Sequence, residues 1–187
     1  YGPRALTVAG DGRIVVADTG NARIVIFTAD LAFAGAIGER GSAAGQLNEP
    51  VGVAVDGAGR IWVADNGNGR MQVFGADGRV ALGFPVPGWT SAVYSEPRLA
   101  FDPAGARVWA SVPRQHEIRA YDAEGRVVAT VAEAALRPRF DMPMGVVAGP
   151  AGLVVAGLNG TLGAVAPDPA LQPGKESKIS SGQESDE

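Results

Sequence analysis

Residues 50–74 read PVGVAVDGAGRIWVADNGNGRMQVF, and residues 3–27, which lie 47 positions earlier, read PRALTVAGDGRIVVADTGNARIVIF. The two stretches align without a gap, so the chain contains an internal repeat. Further copies begin near residues 97 and 143, again at or next to a proline. Self-similarity at a fixed period of about 20–50 residues indicates a repeat architecture.

Each repeat contains four short runs of β-branched and aromatic residues, separated by turns rich in Gly, Asn and Asp. In the second repeat these runs fall at about residues 52–55, 60–64, 71–74 and 80–84. Turns of this composition connect antiparallel strands, and four-stranded units repeating every ~40–50 residues are typical of propeller blades. We therefore predict an all-β fold, a β-propeller with about four four-stranded antiparallel blades present and almost no helix.

The repeat resembles the NHL repeat. The resemblance rests on Pro-x-Gly-Val-Ala-Val-Asp from Pro50, on Val-Ala-Asp-x-Gly-Asn-x-Arg at residues 16–23 and 63–70, and on Val-Phe-x-x-Asp-Gly from Val73. It covers residues 1 to about 167. Members of this family usually close into six blades, so the resemblance implies that the chain is part of a larger ring. Uncovered blades would expose apolar faces, and we expect the isolated chain to self-associate.

Composition divides the chain into two parts. The first 171 residues contain 14 arginines and no lysine, whereas residues 172–187 contain both lysines among Ser, Gln and Glu. We predict propeller blades over 1–171, with repeats starting near residues 3, 50, 97 and 143. We predict a disordered polar tail over 172–187, because such a composition cannot bury enough apolar surface to fold.

Charge and composition argue against several functions. The net charge of −4 argues against a nucleic-acid partner, which requires clustered Lys and Arg. The chain has no Cys and one His, so Cys-ligated and multi-histidine metal sites are excluded. No apolar run reaches the ~18 residues of a transmembrane helix, and the Gly-rich strings lie between strands rather than before a helix. No catalytic residue, metal or cofactor is predicted.

The turn between the second and third strands supplies the first candidate residues. An Asp ends one strand and an Arg opens the next, so the pair either contacts a ligand or holds the turn together. An exposed ion pair contributes only about 0–1 kcal/mol, and the same spacing recurs in both hairpins, which favours a structural role. The set is Asp18, Asn21, Arg23, Asp65, Asn68 and Arg70.

The linkers between blades supply the second candidate set. A four-stranded blade alternates its ends, so linkers 38–49, 85–96 and 132–142 emerge with turns 19–22, 66–69 and 113–116 on one face, called the linker face below. The other face is expected to carry only tight Gly-Asp turns. Trp89 and Tyr94 lie in the second linker, where an aromatic residue either forms a contact surface or packs over a blade edge. The candidate set is Glu39, Arg40, Trp89, Tyr94, Arg114 and His116.

These features favour a non-enzymatic binding or sensor module of a larger bacterial protein, with a protein or glycan partner on the linker face around Trp89 or Tyr94. The alternative is a hydrolase or lyase resembling gluconolactonases, its site completed by further blades. RNA binding is a third hypothesis, which the net charge disfavours. The resemblance alone implies an extracytoplasmic location, with a membrane segment upstream of this chain.

Overall fold

The computed structural model describes residues 2–92, 95–132, 142–149, 152–158 and 160–165, which form four antiparallel sheets arranged as propeller blades. Blade 1 contains β1 (Ala5–Val8), β2 (Ile14–Asp18), β3 (Arg23–Phe27) and β4 (Phe33–Ile37). Blade 2 contains β5 (Pro50–Val55), β6 (Ile61–Asp65), β7 (Arg70–Phe74) and β8 (Val80–Pro85). Blade 3 contains β9 (Leu99–Asp102), β10 (Arg107–Val112), β11 (Glu117–Tyr121) and β12 (Val127–Ala132). Blade 4 contains β13 (Pro143–Gly149), β14 (Gly152–Gly157) and β15 (Leu162–Val165).

The predicted all-β propeller is confirmed. The strands of blade 2 agree with the predicted runs to within two residues, and every sheet follows chain order from its innermost strand outward. Within the described ranges, helical structure is limited to 3-10 turns of three residues between the second and third strands of blades 1, 2 and 3. The predicted tail, residues 172–187, lies outside the described residues. The six-bladed ring implied by the resemblance stays a prediction.

Each pair of neighbouring blades buries its own apolar cluster. Successive residues of a strand point to opposite faces, so each blade contributes one set of side chains to the blade before it and another to the blade after it. Val15 and Ile24 of blade 1 pack with Val63 of blade 2. The next cluster joins blades 2 and 3, and a third joins blades 3 and 4 around Trp109 and Val155.

The two end blades expose apolar side chains on the faces that point away from the others. In blade 1, Leu6 and Val8 lie opposite Val16 and Ile14 in the register of β1 and β2, on the face that blade 2 does not cover, and they are 66% and 63% exposed. In blade 4, the corresponding uncovered face carries the exposed side chains of Val147, Val154 and Leu162. Among the described elements, β1 and β13 do not pack against each other as neighbouring inner strands do. The described blades therefore form an open arc with two apolar ends.

We expect these ends to drive self-association of the isolated chain, because apolar surface left in water favours burial against another copy. Changing Leu6→Asn and Val147→Asn together is expected to lower the mean mass in light scattering and the fluorescence of a hydrophobic dye.

Val127→Asn is the matched control, since this exposed valine lies on the outer strand of blade 3 rather than on an end face. A wild-type chain that stays monomeric and dye-free at every concentration tested would contradict this expectation.

Candidate binding surface

A fully buried carboxylate organises the turn of blade 2. The side chain of Asp65 has no exposed surface and accepts hydrogen bonds from Arg70 Nε at 2.7 Å, Asn68 Nδ2 at 2.9 Å and Gln72 Nε2 at 3.1 Å. It also accepts one from the backbone amide of Asn48, in the linker, at 2.7 Å. All the predicted turn residues of blade 2 are thus joined, and they hold the linker as well as the turn.

Arg70 extends this network into the linker between blades 1 and 2. Its terminal nitrogens donate to the carbonyls of Ser42 and Ala43, each at 2.8 Å, and of Gln46 at 2.9 Å. Asn68 donates to the carbonyl of Gly41 at 2.9 Å. These contacts place the first linker and the turn of blade 2 on one face, as predicted.

The equivalent turn of blade 1 has fewer partners and more exposure. Arg23 and Asn21 donate to Asp18 at 2.8 and 3.0 Å, but the Arg23 side chain is 46% exposed. Burial raises the pKa of Asp18, while the hydrogen bonds from Arg23 and Asn21 lower it by more, so the pKa lies below its ordinary value. The predicted contact between Asp and Arg is present in both blades, with the deeper one in blade 2.

Blade 3 replaces the buried carboxylate with an apolar contact. Val112 occupies the position of Asp65 and is fully buried. Glu117, at the position of Arg70, pairs with Arg119 instead, and Arg119 also contacts the side-chain oxygen of Gln115. The side chains of Glu117 and Arg119 are 18% and 15% exposed, so this turn has a half-buried ion pair in place of the fully buried carboxylate of blade 2.

Trp89 is buried, which corrects the expectation that it protrudes at the centre of a contact surface. It is 5% exposed and belongs to the apolar cluster between blades 2 and 3, together with Val86 and Val112. Its indole nitrogen donates to the carbonyl of Ser111 at 3.0 Å. The large ring fills the space over a blade edge because that site offers both apolar neighbours and an acceptor for the N–H.

The other predicted linker-face residues are placed as follows. Glu39 and Arg40 are exposed, with Glu39 accepting from Gln46 at 3.1 Å and Arg40 donating to the carbonyl of Gly20 at 3.0 Å. Arg114 and His116 are exposed on the turn of blade 3. Tyr94 lies outside the described residues. Whether these side chains bind a partner stays a prediction.

His116 adopts a left-handed backbone conformation. Its φ is 54°, and the aligned residue of blade 2 is Gly69, with φ 63°. Side chains disfavour this region, although histidine tolerates it better than most residues. Blade 1 has Ala22 at this position, with φ 53°, so the chain carries an exposed imidazole where the other two turns have a small residue.

A second pattern, which the alignment of residues 3–27 with 50–74 does not reveal, links an acidic side chain, an arginine and a tryptophan beside the first turn of two blades. In blade 2, Asp56 accepts from Arg60 Nε at 2.7 Å and from the Trp62 indole nitrogen at 2.8 Å, and the Arg60 guanidinium lies 5.7 Å from the Trp62 ring centroid. In blade 3, Arg107 pairs with Asp102 and lies 5.1 Å from the ring centroid of Trp109. The signal in the sequence is Arg-x-Trp at the start of the second strand.

The face opposite the linkers forms a cavity of about 780 Å³, which corrects the expectation that this face offers only tight turns. Its wall comes from the ends of the inner strands β1, β5, β9 and β13 and from the turns that follow them. Most of the lining side chains are apolar, and Asp11, Arg13 and Asp56 are its charged residues. The space is open on one side, because its wall includes Leu6, Val8 and Val147 of the two end blades, whose described inner strands do not pack against each other as neighbouring inner strands do.

In the described ranges, no three His, Cys, Asp or Glu side chains are grouped so that they could hold a metal ion. The same ranges contain no helix with the length and apolar character needed to cross a bilayer.

The fold and the turns define a repeat β-propeller. The NHL repeat model matches residues 1–27 and 47–74, so the first two blades carry NHL repeats and the resemblance is confirmed. No curated protein matches the chain in sequence.

Solved structures share the fold at low identity. A streptogramin B lyase is similar over 88% of this chain and 54% of its own, with a TM-score of 0.60 and 16% identity. A catalytically inactive virginiamycin B lyase from Staphylococcus aureus, crystallised with quinupristin, is similar over 89% of this chain and 56% of its own, with a TM-score of 0.61 and 15% identity. The RRP9 WD40 repeats are similar over 86% of this chain and 47% of their own, with a TM-score of 0.65 and 15% identity. The chain thus spans about half the length of these structures, and the likeness concerns the fold.

The Asp65–Arg70 pair is more deeply buried than the Asp18–Arg23 pair, so mutations of the two arginines are expected to have unequal effects on stability. Arg70→Met is expected to lower the free energy of unfolding by about 3 kcal/mol, because it leaves the buried Asp65 carboxylate and linker carbonyls without their donors. Arg23→Met, its matched control in blade 1, is expected to cost about 0–1 kcal/mol, since that pair is partly solvated. Urea denaturation of both variants measures the difference, and equal losses would show that the buried network does not hold the linker.

The lowered pKa of Asp102 predicts that the stability of the fold depends on pH. Burial raises its pKa, but hydrogen bonds from the Gly105 amide and from Arg107 lower it by more, and the net pKa is below the ordinary value. A carboxyl group with a lowered folded pKa stabilises the fold above the unfolded pKa of about 3.9, and this contribution is lost as the pH falls through the folded value.

Asp102→Asn is therefore expected to be less stable than the wild type at neutral pH, with a difference that shrinks below about pH 4. Urea denaturation across this range measures it, with Asp77→Asn on an exposed turn as the control. A difference between Asp102→Asn and the wild type that is the same at all pH values would contradict this assignment.

Proposed function

We propose that the chain is a non-enzymatic binding module that recognises a protein or glycan partner through its linker face. The observation that carries this proposal is the turn of blade 3, where Arg114, Gln115 and His116 replace the Gly-Asn-Gly of blade 2 and are all exposed. Recognition surfaces need protruding side chains of varied chemistry, and this turn offers them.

His116 differs in side chain, not in backbone, from the residues at the same position of the other blades. The position is left-handed in all three, with Ala22 at φ 53°, Gly69 at φ 63° and His116 at φ 54°. Because alanine and glycine serve the same turn in blades 1 and 2, the fold of the turn does not itself require the imidazole.

The surface under this turn is held firmly in place. Arg119 contacts Gln115 and donates to the carbonyl of Pro87 at 3.4 Å, and Trp89 anchors the adjoining linker in the interface between blades 2 and 3. Trp89 therefore stabilises the linker beneath the proposed surface. The side chains proposed to contact the partner are Arg114, His116, Glu39 and Arg40. A pre-ordered surface loses less conformational entropy on binding.

The proposal is tested with the double variant Arg114→Ala, His116→Gly. Immobilised wild-type chain is screened against a glycan array and a phage-displayed peptide library, and the selected binders are then titrated against the variant. The variant is expected to lose at least about tenfold in affinity, equivalent to ~1.4 kcal/mol. Its stability is expected to be unchanged or slightly raised, because glycine suits the left-handed position.

Arg79→Ala is the matched control, since Arg79 is an exposed arginine on the turn between β7 and β8, away from the linkers. Binders that ignore the double variant but are lost with Arg79→Ala would place recognition on the other face and overturn the proposal.

A second candidate function is a small-molecule lyase or hydrolase. It is favoured by the cavity of about 780 Å³, a size within the ~300–1,000 Å³ of ligand pockets, and by the two lyases among the similar structures. The charged groups of the wall are already engaged, Asp11 with Arg13 and Asp56 with Arg60. Consumption of quinupristin by the chain, followed by mass spectrometry, would favour this candidate over the binding module.

A further inference from the structure

Two arginines occupy equivalent positions at the start of inner strands. Arg4 follows Pro3 and immediately precedes β1, and Arg98 follows Pro97 and immediately precedes β9. The corresponding residue of blade 2 is Val51, inside β5. Because the inner strands begin where the linkers end, both arginines lie at the linker-face end of the inner strands.

A single carboxylate joins the two guanidinium groups. Glu96, at the end of the second linker, contacts Arg4 Nη1 through Oε1 and accepts from Arg98 Nη2 at 3.1 Å through Oε2. The three side chains are 27–29% exposed, so the group is accessible from solvent without being fully solvated. Arginines from blades 1 and 3 thus converge on one anion.

The backbone holds Arg98 in position. Its Nη1 donates to the carbonyl of Val51 at 2.9 Å, and its amide donates to Ser111 Oγ at 2.9 Å. Burial and the nearby Arg4 cation lower the pKa of Arg98. The three side chains together carry two positive charges and one negative charge.

We propose that Arg4 and Arg98 form a binding site for a carboxylate group of the partner, and that Glu96 occupies this site in the free chain. The geometry already accepts a carboxylate, with one oxygen directed to each guanidinium, and charge-assisted hydrogen bonds of this kind are among the stronger ones in proteins. This proposal rests on the proposed linker-face function and adds the chemistry that the face recognises.

Binding requires the ligand carboxylate to displace Glu96 from between the arginines. Glu96 and the ligand compete for the same donors, so removing the Glu96 charge should strengthen ligand binding. A purely structural role predicts no gain in binding, because an ion pair that only joins the blades does not acquire a ligand when its carboxylate is removed.

The test uses succinate as the probe and succinamide as its uncharged analogue, measured by isothermal titration calorimetry at constant ionic strength. Glu96→Gln is expected to bind succinate at least about tenfold more tightly than the wild type, and neither protein is expected to bind succinamide. Adding Arg4→Gln to Glu96→Gln is expected to abolish the gain. Arg79→Gln in the same background removes an arginine from the opposite face and should leave the gain intact.

Thermal melting provides a second readout that does not depend on a measurable heat of binding. Glu96→Gln is expected to melt below the wild type, because the two arginines repel each other, and succinate but not succinamide should restore the melting temperature. Failure of succinate to bind or to restore melting would overturn the proposal, as would a gain that survives Arg4→Gln.

Stronger binding of inorganic phosphate than of succinate to Glu96→Gln would overturn the assignment of a carboxylate. None of these measurements uses the binders selected on the wild-type chain and titrated against the variant of Arg114 and His116. Loss of the linker-face function and loss of the carboxylate site are therefore distinguished.

Discussion

The carboxylate of Asp65 is the constraint on which the best-preserved blade depends. A buried carboxylate must be matched by donors, because removing a charge from water without compensation costs several kcal/mol. The chain supplies those donors from the turn, from the third strand and from the linker that arrives from blade 1. One side chain therefore sets the turn geometry and fixes the path by which the chain passes between blades.

Blade 3 meets the same geometric need by other means. With Val112 in place of the aspartate, the linker from blade 2 is held by Trp89, whose ring enters the apolar cluster and whose N–H bonds the carbonyl of Ser111. Each described linker inserts a large apolar side chain into the interface beneath it, Leu47 between blades 1 and 2 and Trp89 between blades 2 and 3. In blade 3, apolar packing of Val112 and Trp89 replaces the buried hydrogen-bond network of Asp65. The polar turn residues Arg114, Gln115 and His116 are exposed.

Much of the fold could be predicted from the sequence, because the repeat, its turns and its strand composition all depend on local chemistry. The pairing of Asp65 with Arg70 follows from that spacing, whereas the burial of Trp89 does not. Trp89 lies in a linker with no periodic pattern, and only the adjoining blades determine whether its ring is covered. The cavity beside the first turns and the convergence of Arg4 on Glu96 arise from residues of different blades, which no single repeat contains.

The separation of the core into three clusters bears on how the repeats can diverge. Side chains that share no cluster and no hydrogen-bond partner contribute to stability almost independently, so a change between blades 3 and 4 is felt little between blades 1 and 2. Substitutions can therefore accumulate in one blade without compensation in the others. This independence allows the first two repeats to match the NHL repeat while the third has Val112 and Glu117 in place of the Asp and Arg of its turn and still forms a four-stranded blade.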